Sequence, residues 1–226
     1  IGRLNPLDTD YLQDDLDMVI PLKPSLVMPT KVSDAGYILE VSRMMAEAEE
    51  KHGVPVGTVG IIALLETAEG IENAYQIAKA DPRVKALFLG AEDLTSDLQA
   101  ARTKKGDEIL YARGRIVMAA RAAQVDVYDT PFTDVNDDEG LLRDAEFAKS
   151  LGFTGKAAIS PRHVAAINEV FSPSEKEITY AREVMAVIEE AKKQGKGAIS
   201  LHGKMVDKPI VDRARRVLEA AQALGL

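Results

Sequence analysis

The sequence predicts an α/β fold built on a parallel sheet, and two observations indicate this class. Short apolar runs alternate with amphipathic segments of helical period along residues 1–171. The apolar runs are almost continuously hydrophobic, which is typical of parallel strands that helices cover on both faces. Six strand–helix units in series favour a barrel or a doubly wound sheet, and the pattern alone leaves both open.

The predicted elements follow the chain in order. Each strand is assigned to a short apolar run, and most helices to the amphipathic segment after it. Asp137 and Asp138 supply the cap and the first-turn acid of the fourth helix. Residues 1–6 look like the last part of a strand and its exit turn, so we expect earlier strands to precede Ile1. The predicted strands are 3–5, 25–28, 60–65, 86–89, 125–128 and 156–159, and the helices are 35–51, 68–80, 109–123, 139–150 and 161–170.

The end of the chain has a different pattern. Two further helices are predicted over 174–193 and 209–224, without strands of their own, and the Gly-rich segment 194–197 lies between them. We therefore predict two domains, an N-terminally incomplete barrel over 1–171 and a C-terminal helical extension over 172–226.

Composition excludes several classes of function. The chain has 226 residues, a formal net charge of −8 and no basic stripe, which argues against a nucleic-acid or anionic-membrane surface. It has no Cys, so disulfides and thiolate metal sites are absent, which fits a reducing cytoplasm. No apolar run reaches the length of a membrane span.

Two of the predicted strands lead into a carboxylate. Glu66 follows the run 60–65, and Asp93 follows the run 86–89 about one strand–helix repeat later. Because neighbouring parallel strands end at the same edge, where α/β proteins bind ligands, we expect the two carboxylates to converge. A hard cation such as Mg²⁺ would compensate their charge. Alternatively, Glu66 ends a strand and Asp93 begins a helix, each solvated or paired, and the spacing supports both interpretations equally.

Six sequence motifs, in matching order and spacing over essentially the whole chain, give the sequence a resemblance to a known family. It resembles the citrate lyase β-subunit family, within the HpcH/HpaI aldolase and malyl-CoA lyase superfamily. The motifs are Arg-Leu-Asn-Pro (3–6), Leu-Glu-Thr-Ala-Glu-Gly (65–70), Leu-Gly-Ala-Glu-Asp-Leu (89–94), Asp-Thr-Pro-Phe (129–132), Gly-Phe-Thr-Gly-Lys-Ala-Ala-Ile-Ser-Pro (152–161) and Gly-Lys-Met-Val-Asp-Lys-Pro (203–209).

The resemblance implies a (β/α)8 TIM barrel, of which this sequence supplies strands three to eight. It also implies Mg²⁺-dependent retro-Claisen cleavage of a 3-hydroxyacyl thioester carried by coenzyme A or an acyl-carrier protein. A citryl thioester would give oxaloacetate and an acetyl thioester, whereas free-standing relatives cleave citramalyl-CoA or malyl-CoA. Implied partners are the subunits of a citrate lyase complex and further copies of this chain, in a trimer. A third alternative is a non-catalytic binding or scaffold subunit with an incomplete barrel.

The resemblance assigns roles to matching residues. Glu66 and Asp93 align with the two protein ligands of Mg²⁺. Arg3 aligns with an arginine that grips the substrate, and the alternative for Arg3 is an ion pair with a nearby acid. Gly90 and Ala91 can offer backbone N–H groups to a substrate carboxylate.

Asp207 is the candidate for proton transfer. In related malyl-CoA lyases, an aspartate of this motif reaches the active site of a neighbouring subunit and acts as general acid or base. The alternative, that Asp207 caps the last helix ahead of Pro209, is supported at least equally by the sequence.

Some positions depart from the family pattern or fit it weakly. The segment Pro29-Thr-Lys31 is one residue longer than in many relatives, and Ser160 stands where relatives often carry His. The three histidines are interpreted as surface residues, because their spacing matches no metal-binding motif. The cations considered for coenzyme A phosphates are Arg113, Arg115 and Lys156.

Overall fold

The computed structural model describes residues 1–194 and 200–226, so the Gly-rich segment predicted to join the last two helices lies largely outside the described residues. The chain divides into two compact units, residues 1–167 and 168–226.

All six strands of the first unit's sheet are parallel, and each pairs with the next strand along the chain. This sequential order confirms the α/β prediction. It also decides against a doubly wound sheet, because strand order in such sheets reverses at a switch point. The strands are β1 (Gly2–Leu4), β2 (Leu26–Pro29), β3 (Gly60–Leu65), β4 (Val84–Leu89), β5 (Asp126–Asp129) and β6 (Gly155–Lys156).

Helices connect these strands and cover the sheet. Every residue of β3 is buried, as its unbroken apolar sequence predicts for a strand within a parallel sheet. The helices are α1 (Tyr11–Val19), α2 (Ala35–Lys51), α3 (Ala68–Glu72), α4 (Ala74–Lys79), α5 (Ala91–Asp97), α6 (Leu110–Ala123), α7 (Asp138–Leu151) and α8 (Pro161–Phe171).

Two helical features differ from the prediction. Helix α1 was not predicted, because its acidic sequence hides a short buried stripe formed by Leu12 and Leu16. The single helix predicted over 68–80 is two helices, since Asn73 ends α3 and its side chain donates to the Ser33 carbonyl at 3.0 Å.

A buried ion pair fixes the amino-terminal end of the sheet. The Glu49 carboxylate of α2 is fully buried and accepts from both Arg83 terminal nitrogens, at 2.9 and 2.6 Å, and from the N–H groups of Gly57 and Val59. Burial disfavours its charge, but these donors outweigh burial and hold the pKa of Glu49 below its usual range. Glu49 is therefore a fully compensated buried carboxylate.

The second unit contains α9 (Glu175–Gln194), a two-stranded antiparallel hairpin and α10 (Lys208–Leu224). Its apolar core includes Ala181 and Val184 of α9 together with Val211 and Ala214 of α10. The prediction that this part of the chain has no strands was wrong, because β7 (Ser200–Leu201) and β8 (Lys204–Met205) turn tightly through His202 and Gly203, both at positive φ. Among the described residues, no helix is long and apolar enough to cross a membrane.

Candidate active site

Glu66 and Asp93 meet at the carboxyl edge of the sheet, as their positions predict. Strands β3 and β4 are neighbours with Leu65 in register with Leu89, so each acid follows its strand at the same edge. Helix α5 begins at Ala91 and places Asp93 in its first turn. The two carboxyl groups lie close enough for Asp93 to raise the pKa of Glu66. Glu66 is only 5% exposed, whereas Asp93 is exposed.

The close approach of Glu66 to the β4–α5 turn depends on Gly90. A Cβ atom at position 90 would lie 2.7 Å from the Glu66 Cβ and 2.9 Å from its Oε2. Any side chain at position 90 would therefore displace the glutamate. The glycine of the 89–94 motif makes room for the buried carboxylate.

The Glu66 carboxylate is held in an electrostatically unfavourable position. Burial and the facing Asp93 carboxylate raise the pKa of Glu66 above its usual range, against the opposing effects of the Lys31 N–H and the Arg3 guanidinium. Among the described residues, neither acid of the pair forms a salt bridge, in contrast to Glu49. The site therefore combines concentrated negative charge with incomplete compensation.

The Glu66–Asp93 pair fits Mg²⁺ better than a metal that needs an all-protein cage. Within the described part of the chain, no three His, Cys, Asp or Glu side chains are grouped to hold a metal. Mg²⁺ is usually held by one or two carboxylates and completes its octahedron with water and substrate oxygens. Glu66 and Asp93 would hold the ion, and the Lys31 N–H, which donates to Glu66 Oε1 at 2.9 Å, would fix the orientation of the Glu66 carboxylate.

The segment after β2 supports Glu66 through its backbone. Lys31 has a φ of 53°, in the left-handed region that non-glycine residues rarely adopt. In this conformation its N–H points to Glu66, and the next N–H, of Val32, donates to the Leu64 carbonyl at 3.2 Å. The Lys31 side chain is exposed, and Lys31 contacts the site through its backbone.

Arg3 lies close enough to Glu66 for its charge to act on this carboxylate. It is the central residue of β1, its side chain is exposed, and its charge lowers the pKa of Glu66. Among the described residues, Arg3 forms no ion pair, so its charge acts on Glu66 without a direct bond to either acid.

The N–H groups of Gly90 and Ala91 do not fit the predicted role as substrate donors. The Gly90 N–H donates to the Leu65 carbonyl at 2.9 Å, and the Ala91 N–H donates to the Thr130 hydroxyl at 3.3 Å. Both donors already have acceptors within the protein, because the β4–α5 turn is tied to the strands on either side of it. Residues 90 and 91 therefore shape the floor of the site.

Asp207 belongs to the second unit, where its side chain caps α10. Its Oδ1 accepts the Ile210 N–H at 3.3 Å, and Pro209 lies in the first turn of the helix. The cap interpretation therefore matches the structure. A cap hydrogen bond of this length leaves the second carboxylate oxygen for another partner.

Sequence reasoning missed a buried ionic cluster at the ends of β5 and β6. Asp129 accepts from Arg113 Nε at 3.0 Å and Nη2 at 2.8 Å, and from Lys156 Nζ at 2.7 Å. Asp144 of α7 pairs with the same two cations, at 2.7 and 2.6 Å. Charged residues inside apolar strands require buried partners, and this signal was present in the motifs 129–132 and 152–161.

This cluster corrects two interpretations of the sequence. Arg113 and Lys156 are buried and paired, so they cannot serve as surface cations for coenzyme A phosphates. The Lys156 ammonium also donates to the Thr130 carbonyl at 2.6 Å, which links the cluster to the residue that bonds the start of α5.

His163 is also different from its prediction as a surface residue. It lies in α8 and is 1% exposed. Among the described residues neither ring nitrogen has a hydrogen-bond partner. Histidine spacing indicates metal motifs only, whereas the burial of His163 depends on its position on the inward face of an amphipathic helix.

A cavity of about 630 Å³ lies at the opposite end of the sheet and is not the candidate site. It is lined by residues before or at the start of strands, including Ser25, Gly60 and Lys85. Polar side chains that line it form hydrogen bonds with each other or with the nearby backbone. Ser42 donates to Asp81 at 2.8 Å, and Lys85 donates to the Pro82 carbonyl at 2.8 Å. Ligands of parallel α/β folds bind at the carboxyl ends of the strands.

The protein is therefore an α/β protein of the class with sequential parallel strands. Its candidate site is a compact pair of acids at the carboxyl edge of the sheet. Residues 1–161 match the model of the HpcH/HpaI aldolase/citrate lyase family, and this chain belongs to that family.

Individual relatives agree over nearly the whole chain. The citrate lyase subunit beta of Leuconostoc mesenteroides subsp. cremoris is 42% identical over 99% of this chain and 74% of its own length. The L-malyl-CoA/beta-methylmalyl-CoA lyase of Cereibacter sphaeroides is 32% identical over 99% of this chain and 76% of its own. The CitE protein of Mycobacterium tuberculosis, solved with magnesium, acetoacetate and coenzyme A, has a TM-score of 0.77 and 30% identity over 97% of this chain and 77% of its own.

Proposed function

We propose that this protein is a Mg²⁺-dependent carbon–carbon lyase that cleaves a 3-hydroxyacyl thioester, with a citryl thioester as the first candidate substrate. The observation that carries the proposal is the convergence of Glu66 and Asp93 at the carboxyl edge of the sheet, where neither acid forms a salt bridge among the described residues. Relatives named as lyases, and a similar structure that contains magnesium and coenzyme A, support the same reaction class.

The geometry of the site supports a role for each of these residues. Glu66 and Asp93 would hold the ion, and Gly90 keeps the space next to Glu66 open. Bound Mg²⁺ would supply Lewis-acid stabilisation of the oxygens that gain negative charge. Arg3 orients the substrate, because its planar fork matches a carboxylate or a thioester oxygen. Residues 90 and 91 form the floor against which the substrate lies.

The reaction needs one proton removed and one delivered. The substrate hydroxyl loses its proton, the neighbouring C–C bond breaks, and its electron pair moves to the thioester as an enolate. Protonation of the enolate carbon then gives the acetyl thioester, and the former hydroxyl carbon becomes the carbonyl of a 2-oxo acid. Asp207 is the group proposed for proton transfer, supplied by the second unit of a neighbouring subunit.

We infer that the six-stranded sheet is part of a (β/α)8 barrel formed with strands outside residues 1–226, and that residues 172–226 act as its helical extension. The sequential strand order supports the barrel, and the separate core of the second unit supports the extension.

A panel of thioesters tests the function and the substrate together. Citryl-CoA, citramalyl-CoA and malyl-CoA are incubated with the protein and Mg²⁺, and oxaloacetate, pyruvate and glyoxylate are measured. We expect Mg²⁺-dependent release of oxaloacetate from citryl-CoA, and loss of activity in EDTA. Preference for a different thioester would keep the lyase class and change the substrate. No cleavage of any thioester by protein that binds Mg²⁺ would support the binding-subunit alternative.

Mixing two inactive variants tests whether Asp207 acts across a subunit interface. Asp207→Ala and Glu66→Gln subunits are unfolded together and refolded, so that mixed oligomers form. If Asp207 completes a neighbour's site, about a quarter of the sites in an equal mixture combine an intact metal pair with an intact Asp207. Activity should then return in the mixture, while each variant refolded alone stays inactive.

The same mixture also shows whether Asp207 acts within its own chain. If Asp207 serves its own chain, every site carries one defect and the mixture stays inactive. A fully active monomer, measured by light scattering at the assay concentration, would equally exclude the shared site.

A further inference from the structure

We propose that Tyr37 is a positioning residue for the magnesium site, and that it acts on Glu66 through the peptide group between Thr30 and Lys31. The inference rests on the proposed function. Tyr37 does not contact the metal pair in this arrangement, since a backbone group lies between the phenol and the Glu66 carboxylate.

The three groups form a continuous hydrogen-bonded chain. The Tyr37 hydroxyl donates to the Thr30 carbonyl at 2.7 Å. The N–H of the same peptide group belongs to Lys31 and donates to Glu66 Oε1 at 2.9 Å. A donor on the carbonyl polarises the peptide and strengthens its N–H as a donor, so the two bonds support each other.

Tyr37 is itself fixed at both ends. Its backbone N–H donates to the Asp34 carboxylate at 3.0 Å, which caps α2. Its hydroxyl also accepts the Leu7 N–H at 2.7 Å, in the segment that follows β1 and Arg3. Burial raises the pKa of Tyr37 to about 12, so the phenol keeps its proton and remains a donor at neutral pH.

The conformation of Lys31 explains why this support is needed. A φ of 53° is unfavourable for a residue with a side chain, and such conformations persist only where neighbouring contacts hold them. The Tyr37 hydroxyl bonds the carbonyl immediately before Lys31, and the Val32 N–H bonds the Leu64 carbonyl immediately after it. Without the phenol, the peptide loses the contact that aims its N–H at Glu66.

The test compares two tyrosine-to-phenylalanine variants. Tyr37→Phe removes the hydroxyl of the chain, and Tyr111→Phe removes an exposed hydroxyl that donates to Glu72 at 2.8 Å. Mg²⁺ affinity is measured by calorimetry without substrate, and the unfolding temperature is measured beside it. We expect Tyr37→Phe to bind Mg²⁺ about 3- to 10-fold more weakly, the effect of one hydrogen bond, and Tyr111→Phe to stay within about twofold of the unmodified protein.

A measurement on the unmodified protein covers the case in which Tyr37→Phe does not fold. Mg²⁺ is titrated into protein labelled at the tyrosine Cζ atoms and at the backbone amides. We expect the Lys31 amide and Tyr37 Cζ resonances to shift with one common dissociation constant, while the Tyr111 Cζ resonance stays in place.

The outcomes separate this inference from the proposed function. If the unmodified protein binds Mg²⁺ but Tyr37→Phe binds equally well, or if the Tyr37 resonance does not respond, the positioning role is wrong and the metal site stands. If the unmodified protein does not bind Mg²⁺, the metal site and the positioning role are both wrong.

Discussion

Replacing Glu66 by glutamine is expected to reduce Mg²⁺-dependent lyase activity by at least about 100-fold and to make the metal-free protein more stable at neutral pH. Glutamine keeps the size of the side chain and an oxygen for the Lys31 N–H, which Glu66 Oε1 accepts at 2.9 Å. It removes the negative charge that the ion requires. The same change also removes the repulsion from Asp93 and the cost of burying a charge.

The pH dependence of this effect has a defined sign. Because the pKa of Glu66 is raised in the folded protein, the native state holds this proton more tightly than the unfolded chain. The stability of the metal-free protein therefore falls as pH rises from the ordinary glutamate pKa through the raised value. The glutamine variant lacks this titration, so its advantage in unfolding temperature should grow over that interval and then remain constant.

Glu49→Gln is the matched control, since it makes the same replacement of a carboxylate oxygen by an amide nitrogen in a second buried glutamate. Glu49 is compensated by Arg83 and two N–H groups, and its pKa is lowered. Its ionised form therefore contributes stability above the ordinary glutamate pKa, and this stability is lost as pH falls through the lowered value. We expect Glu49→Gln to reduce the unfolding temperature at neutral pH.

Calorimetric titration with Mg²⁺ and thermal unfolding in EDTA measure both effects. Wild-type Mg²⁺ affinity in the Glu66→Gln protein would contradict the metal assignment. A lower unfolding temperature for this variant than for wild type in EDTA at neutral pH would contradict the electrostatic argument.

The sequence predicted the parts of the site that depend on strand order. Continuous apolar runs placed β3 and β4 side by side, and their alignment brought Glu66 and Asp93 together. Helix α2 was predicted with the observed bounds, because its amphipathic pattern is long, and the structure adds that the Asp34 side chain caps it.

The sequence could not predict contacts that depend on backbone direction. The N–H of Lys31 reaches Glu66 only because of a positive φ, which no residue type at this position signals. Likewise, Arg113, Asp129 and Lys156 are far apart in sequence, so only the assembled sheet shows that they pair. Their charges resemble surface or ligand-binding groups until their burial is known.

Asp129→Asn is expected to be the most destabilising of the substitutions considered. Asp129 is fully buried and accepts three charge-assisted hydrogen bonds from Arg113 and Lys156. Asparagine keeps the shape but leaves two buried cations with the single carboxylate of Asp144. Removing one partner of a buried ion pair costs about 3–5 kcal/mol, which corresponds to a decrease of roughly 10 °C in the unfolding temperature.

Asp107→Asn is the control for this prediction. Asp107 pairs with Lys105 at 2.6 Å, which is close to the 2.7 Å between Asp129 and Lys156. The Asp107 pair, however, lies on the surface. Water and salt screen an exposed pair, so we expect its loss to leave the unfolding temperature nearly unchanged. The Asp129 effect should persist in high salt, since a buried cluster is screened weakly. Equal unfolding temperatures for the two variants would show that the buried cluster does not stabilise the fold. In that case Lys156, which also bonds the Thr130 carbonyl, would need a role in the site.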